Sequence, residues 1–231
     1  MKAGSDLKVG SDSTFRRAPA AGAVAQKSSL TLLSAFRGIA EAASLLCLCL
    51  LAACGPAGPS FKGSDVTGSA FGKGFALTDH NGVPRSLADY RGKAVALFFG
   101  YTQCPDVCPT TLAALAEAMK TLGPDADRVQ VLLVTVDPDR DTAELLKQYV
   151  PAFDPRFVGL RGDAAALETV AKEFRIIYQK VPGATPETYT VDHSAGTFLF
   201  DPQGRLRVYV GHGQTPDTFA HDLRELLRAT T

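Results

Sequence analysis

Two stretches constrain the fold of this 231-residue chain more than any other feature: Ala94-Val95-Ala96-Leu97-Phe98-Phe99, and the run from Val129 to Val136. The first is apolar on both alternating faces, and the second nearly so. A strand of that kind cannot lie on a surface; it needs cover above and below. Between them, Pro109 to Leu122 places Leu112, Leu115, Met119 and Leu122 at helical spacing. Strand, helix, strand in that order predicts a parallel pair joined by a crossover helix. Further elements follow in both directions. Asn81-Gly82 is a hairpin turn signal, with a short stretch from Gly74 before it and Val83–Ser86 returning. Helices are predicted over 142–150, stopped by Pro151, and from an Asp163 cap to Phe174. Ile176–Tyr178 reads as extended. Thr197–Phe200 and Arg205–Val210 form a late hairpin around Asp201-Pro202-Gln203-Gly204, and a helix over 216–229 closes the chain. The predicted fold class is α/β, a mixed central sheet flanked by helices on both faces, with an N-terminal hairpin.

The N-terminal quarter has a different character. Ala42 to Ala53 is a twelve-residue run without charge. A membrane-spanning helix needs about 20 apolar residues, so the run fits the apolar core of an export signal, with Lys27 and Arg37 upstream. Leu51-Ala52-Ala53-Cys54-Gly55 resembles the bacterial lipobox, which implies cleavage before Cys54 and a diacylglyceryl group on its sulfur. Arg16-Arg17 is followed by Ala18-Pro19 rather than an apolar residue, which disfavours a twin-arginine signal. The length before the apolar run predicts a translation start downstream of Met1. The expected organisation is therefore a signal over 1–53, a Gly/Pro/Ser-rich flexible tether over 54–73, and a folded domain over 74–231. The whole chain carries 24 basic and 24 acidic residues, and without residues 1–53 it would carry 18 and 21. Neither balance has the basic excess of a nucleic-acid binder.

Five cysteines become two by the same reasoning. Cys47 and Cys49 leave with the signal and Cys54 is lipidated, so Cys104 and Cys108 remain. A domain of about 150 residues can bury an adequate core without a disulfide, which turns attention to the chemistry of the pair. They lie in Phe98-Phe99-Gly100-Tyr101-Thr102-Gln103-Cys104-Pro105-Asp106-Val107-Cys108-Pro109, at the carboxyl end of a buried strand, where sites form in open α/β sheets. Pro109 is predicted at the first helical position, with Cys108 near the cap. The helix N-terminus is expected to favour thiolate over thiol. A thiolate is both a nucleophile for disulfide exchange and a soft metal ligand. Four histidines could complete a site. His80 lies in the hairpin turn and His221 on the last helix. His193 and His212, each at a strand end, are not separated by spacing alone.

The FFGYTQCPDVCP stretch, Val136-Asp137-Pro138-Asp139-Arg140-Asp141, and Val191-Asp192-His193-Ser194 ahead of TFLFDPQG together resemble the Sco/SenC family. The resemblance runs from about Phe71 to Leu227. It implies a thioredoxin-like fold and a copper-binding protein of cytochrome c oxidase assembly, acting on the CuA client, oxidase subunit II or similar, and supplied by a copper donor protein. It also implies that Cys104, Cys108 and His193 bind one copper, Cu(I) or Cu(II), per chain. Asp137 is expected to support the site or face a partner. With the lipobox, the implied location is the periplasmic side of a bacterial membrane. Two thiolates and an imidazole suit Cu(I), whereas a structural zinc site would want four protein ligands. The Cys104–Cys108 pair is also expected to be redox-active. The competing reading is a thiol-disulfide oxidoreductase. Its usual Cys-x-x-Cys spacing is one residue shorter, and Gly196 stands where a peptide-clamping proline would be expected. A peroxidase is disfavoured because Tyr101 replaces the threonine of a peroxiredoxin and the chain has no tryptophan.

Overall fold

The computed structural model describes residues 58–185 and 188–229. Cys54 and the expected signal over 1–53 lie outside the described residues. Ten strands are described: β1 (Ser64–Asp65), β2 (Ala76–Asp79), β3 (Pro84–Ser86), β4 (Ala94–Gly100), β5 (Val129–Thr135), β6 (Val158–Arg161), β7 (Tyr178–Val181), β8 (Thr190–His193), β9 (Thr197–Phe200) and β10 (Leu206–Val210). The α-helices are α1 (Val107–Leu122), α2 (Ala143–Tyr149), α3 (Ala164–Phe174) and α4 (Pro216–Arg228).

Eight strands form one mixed sheet in the order β1-β10-β9-β4-β5-β6-β2-β3, and β7 and β8 form a separate antiparallel ribbon. The two apolar runs lie at its centre as β4 and β5, paired in parallel from Ala94↔Val129 to Gly100↔Thr135, every residue of both being buried. Fully burying Phe98 or Phe99 is worth about 1.5–3 kcal/mol each. Of the late hairpin, β9 lies against β4, antiparallel, with Phe98 opposite Thr197.

Caps and turns follow the sequence closely. Thr142 and Asp163 cap α2 and α3, accepting the amides of Leu145 and Ala166 at 3.2 and 2.8 Å. In the Asn81-Gly82 turn, the buried Asp79 carboxylate accepts the amides of Asn81 and Val83, and Gly82 takes φ +82°, a conformation open to glycine.

Three features differ from the sequence expectation. Between α2 and α3 lies β6, which pairs in parallel with β5. Its four residues, Val-Gly-Leu-Arg, are too short and mixed to announce a strand. Gly159 is required there, since a Cβ would sit 3.1 Å from Leu146 and 3.2 Å from Val150. Second, α1 begins at Val107, so Pro109 is its third residue rather than its first. First-turn amides have no intrahelical acceptor, and proline costs nothing at that place either. Third, much of the segment expected to be a tether is folded. Phe61, Val66 and Phe71 pack against the core, and β1 pairs with β10. The amides of Lys62 and Gly63 donate to the two oxygens of buried Asp222 at 2.7 and 2.8 Å. Gly/Ser-rich composition suggested freedom, but a distant carboxylate on α4 supplies the partners that order this backbone.

Candidate metal centre

The site is assembled from three places: the loop leaving β4, the first turn of α1, and the end of β8. Cys104 is in the loop and partly buried, while Cys108 is the second residue of α1 and fully buried. Asp106 occupies the cap position, yet its side chain makes no cap bond. The amide of Cys108 donates instead to Cys104 Sγ at 3.4 Å. A first-turn N–H that needs an acceptor is thus answered by the other thiol.

His193 comes from the opposite side. Its Nε2 lies 3.4 Å from Cys108 Sγ. Its Nδ1 is 3.1 Å from the carbonyl oxygen of Ser194. A carbonyl can only accept, so Nδ1 carries the proton and Nε2 turns its lone pair toward the thiols. The rings of Phe98 and Tyr101 meet the imidazole edge-on at 6.2 and 5.9 Å. The Tyr101 hydroxyl accepts the amide of Val191, holding β8 against the end of β4. The ligand atoms of Cys104, Cys108 and His193 all lie within 4.8 Å of one another.

Gly100 makes room for this arrangement. A Cβ there would stand 2.8 Å from Cys108 Sγ and 2.8 Å from the Phe98 ring. Glycine in the Phe-Phe-Gly-Tyr stretch is therefore a requirement of the thiol beneath it.

Burial decides the electrostatics. It pushes the Cys108 thiol well above its ordinary range, with Cys104 and Asp141 adding to the effect. The thiolate expected from the helix N-terminus is thus not favoured at Cys108. A helix end contributes about 0.3–1 kcal/mol, whereas burial can move a pKa by up to 3–5 units. Burial also holds His193 below the usual imidazole range, against the opposing effect of the hydrogen bond that it donates to the Ser194 carbonyl. Without metal, Cys108 is a thiol and His193 is neutral. A cation entering here gains an imidazole lone pair at once and two thiolates on release of their protons. Two sulfurs and one nitrogen, with one side open to the cleft between Pro105–Val107 and Thr190–His193, form a donor set suited to a soft ion.

Behind the ligands are two carboxylates. Asp137 is fully buried. It pairs with Arg140 and accepts from the Tyr189 hydroxyl at 2.7 Å. Arg140 stacks on the Tyr189 ring at 3.6 Å and donates to the Tyr189 carbonyl at 2.9 Å. That cluster fixes the chain just before β8, and hence His193. Asp141, not singled out from sequence beyond its place in the DPDRD loop, ties the cysteine loop to β5. It accepts from the Thr102 and Thr135 hydroxyls at 2.6 Å each. Burial raises its pKa. The other histidines divide: His80 Nδ1 accepts the amide of Gly159, His221 lies against Asp222, and His212 is exposed beyond β10.

Known proteins share this frame. A family model described as SCO1/SenC matches residues 64–228. The mouse protein named SCO2 homolog, mitochondrial, is 36% identical over 164 residues, which are 70% of this chain and 64% of the mouse protein. The chain thus spans somewhat less than two thirds of that relative. The structure of copper-bound ScoI from Bradyrhizobium japonicum is 41% identical with a TM-score of 0.63, over 68% of this chain and 100% of that one. A SCO1/SenC family lipoprotein from Bacillus anthracis is 25% identical with a TM-score of 0.60, over 74% and 100%. These likenesses carry the thioredoxin-like α/β architecture, and the matched region holds the whole sheet and all three candidate ligands. The chain belongs to the SCO1/SenC family.

Proposed function

We propose that this protein is a copper carrier that holds one copper ion through Cys104, Cys108 and His193 and hands it to the CuA site of a cytochrome c oxidase. The observation that carries the reading is the convergence of two sulfurs and one correctly tautomeric imidazole nitrogen within 4.8 Å. Three protein ligands leave a coordination position through which a client or donor ligand can enter, so transfer proceeds stepwise. The client is subunit II or a similar CuA protein, and a separate donor supplies the ion. A lipid on Cys54 would keep the carrier at the periplasmic face of a bacterial membrane. The lipobox-like sequence and the B. anthracis lipoprotein support that location. Among the described residues no helix is long and apolar enough to cross a membrane.

A second reading has its own support. The two sulfurs lie within 4.8 Å of each other, and Cys104 receives a helix-end amide. A thiol-disulfide oxidoreductase that keeps client cysteines reduced would use the same pair. Against it, a Tyr209 ring packs over Gly196, where a Cβ would stand 2.2 Å from it, and Cys108 is fully buried. Copper titration of the reduced protein, with the oxidised protein as control, tests the carrier: one ion per chain is expected in the first and none in the second. Oxidase activity in a deletion strain separates the readings. Added copper restores it for a lost carrier by mass action. Restoration by a small thiol alone, with no response to copper, would reverse the ranking.

A further inference from the structure

Among the described residues the exposed large apolar side chains are Val83, Ile177 and Val181, and Ile177 stands furthest out, 78% exposed. Its backbone is firmly held. The Ser194 amide donates to the Ile177 carbonyl at 2.9 Å, and the Ile177 amide donates to Ser194 Oγ at 3.1 Å. Ser194 lies between His193 and Ala195, and both of those residues line the metal cleft. Ile177 is thus fixed at the rim of the cleft, one residue before β7. Covering that side chain would remove apolar surface from water, which is favourable.

The cleft also has a charge. Asp106 lines one lip and Asp192 the other, and both are exposed. The cations near them are already taken: Arg140 pairs with Asp137, and Lys180 with Asp139. Within the ribbon Gln179 opposes Asp192 and Val181 opposes Thr190. Opposed residues share a face, and alternate residues along a strand return to it. Asp192 and Val181 therefore lie on one face of the ribbon, and all four of its positions are exposed.

We propose that this rim, with Ile177 as its apolar contact and Asp106 and Asp192 as its charges, is the docking surface for the protein that receives copper. The complementary partner has an exposed apolar side chain and a cationic surround at its own copper-binding end. The inference rests on the copper-carrier reading and adds how the acceptor is recognised. An acceptor must bring its donor atoms to bonding distance of an ion held by Cys104, Cys108 and His193. Its surface then covers the lips of the cleft and the neighbouring Ile177. Each bond from copper to the carrier breaks as a bond to an acceptor donor forms. Acceptor thiols release their protons, the carrier's two sulfurs take protons back from solvent, and copper keeps its oxidation state.

The test compares two acceptors for Cu(I) held on the reduced full-length chain: the metal-free, reduced CuA domain of oxidase subunit II, and neocuproine, a small uncharged chelator. Ile177→Lys removes the apolar contact and repels a cationic partner. A substitution at so exposed a position should leave folding intact. It is expected to slow transfer to the CuA domain about tenfold, while chelator removal stays within about twofold of the parent. Ile177→Leu should transfer at the parent's rate. The parent's transfer rate should fall as salt is raised, and Asp106→Asn should flatten that dependence. Transfer from Ile177→Lys at the parent's rate would overturn the proposal. So would equal slowing toward both acceptors, which would place the effect in the copper site. A parent that gives copper to the chelator and none to the CuA domain removes this client and its docking surface together. A parent that takes up no copper at all removes the carrier reading itself, so the two failures are distinct.

Discussion

At the scale of single residues, the site depends on what is missing as much as on what is present. Gly100 lacks a Cβ because Cys108 Sγ occupies that space. Gly100→Ala should leave the circular dichroism spectrum intact, displace the thiol, and lower copper affinity at least about tenfold in chelator competition. Unchanged affinity would show that the thiol has other room. The ligands themselves should not be equivalent. Cys104→Ser or Cys108→Ser should each abolish tight binding, because each removes a sulfur from a three-ligand set. His193→Ala should weaken Cu(II) more than Cu(I), since two thiolates can hold Cu(I) linearly. Equal losses for both ions would contradict that division. Proton release sets the pH dependence. Burial holds the metal-free Cys108 as a thiol, with its pKa raised, so binding expels its proton and apparent affinity rises with pH. Isothermal titration in buffers of different ionisation enthalpy should detect that release; affinity flat from pH 6 to 8 would contradict it.

At the scale of elements, the ligands are held in place by contacts outside the metal set. β8 is steadied from one side by Tyr101 and from the other by the Asp137–Arg140–Tyr189 cluster. The segment before β2 is held by a different device, the two amides donated to Asp222. Asp222→Ala leaves both donors without their acceptor, at a cost of about 1–3 kcal/mol. The denaturant midpoint should fall, and proteolysis should begin between Gly58 and Gly63. Resistance equal to the parent's would mean that β1 and Phe61 suffice to hold the segment. The helix elements were legible because caps and apolar periods are local: Thr142 and Asp163 cap where the sequence indicates. β6 was not, since four residues with one glycine have no period. Nor was the docking of residues 61–73, whose partners lie some 100 to 160 positions away.

At the scale of the whole molecule, the folded domain with its Cys104–Cys108–His193 group follows an N-terminal segment for which we propose a lipid anchor on Cys54. The fold begins near Phe61, which shortens the tether proposed between Cys54 and the domain. Two or three acyl chains on Cys54 would anchor firmly, at about 0.8 kcal/mol for each buried methylene. Cys54→Ser is therefore expected to leave the precursor unprocessed or to release protein into the soluble fraction. The intact mass of the native protein should show the lipid; a mass without one would remove the anchor from the proposal.

The sequence alone determined the central strands, the helices between them and the two-thiol loop, because burial on both faces, capping and glycine or proline turns act over a few residues. It also marked His193, through resemblance rather than through spacing. Only the tertiary structure brought His193 Nε2 to Cys108 across 85 positions of chain and grouped it, rather than His212, with the two thiols. Only the tertiary structure could reverse the electrostatics of Cys108. A helix end is visible in a sequence, but the exclusion of water from a thiol depends on every element packed around it, and that exclusion is the larger effect.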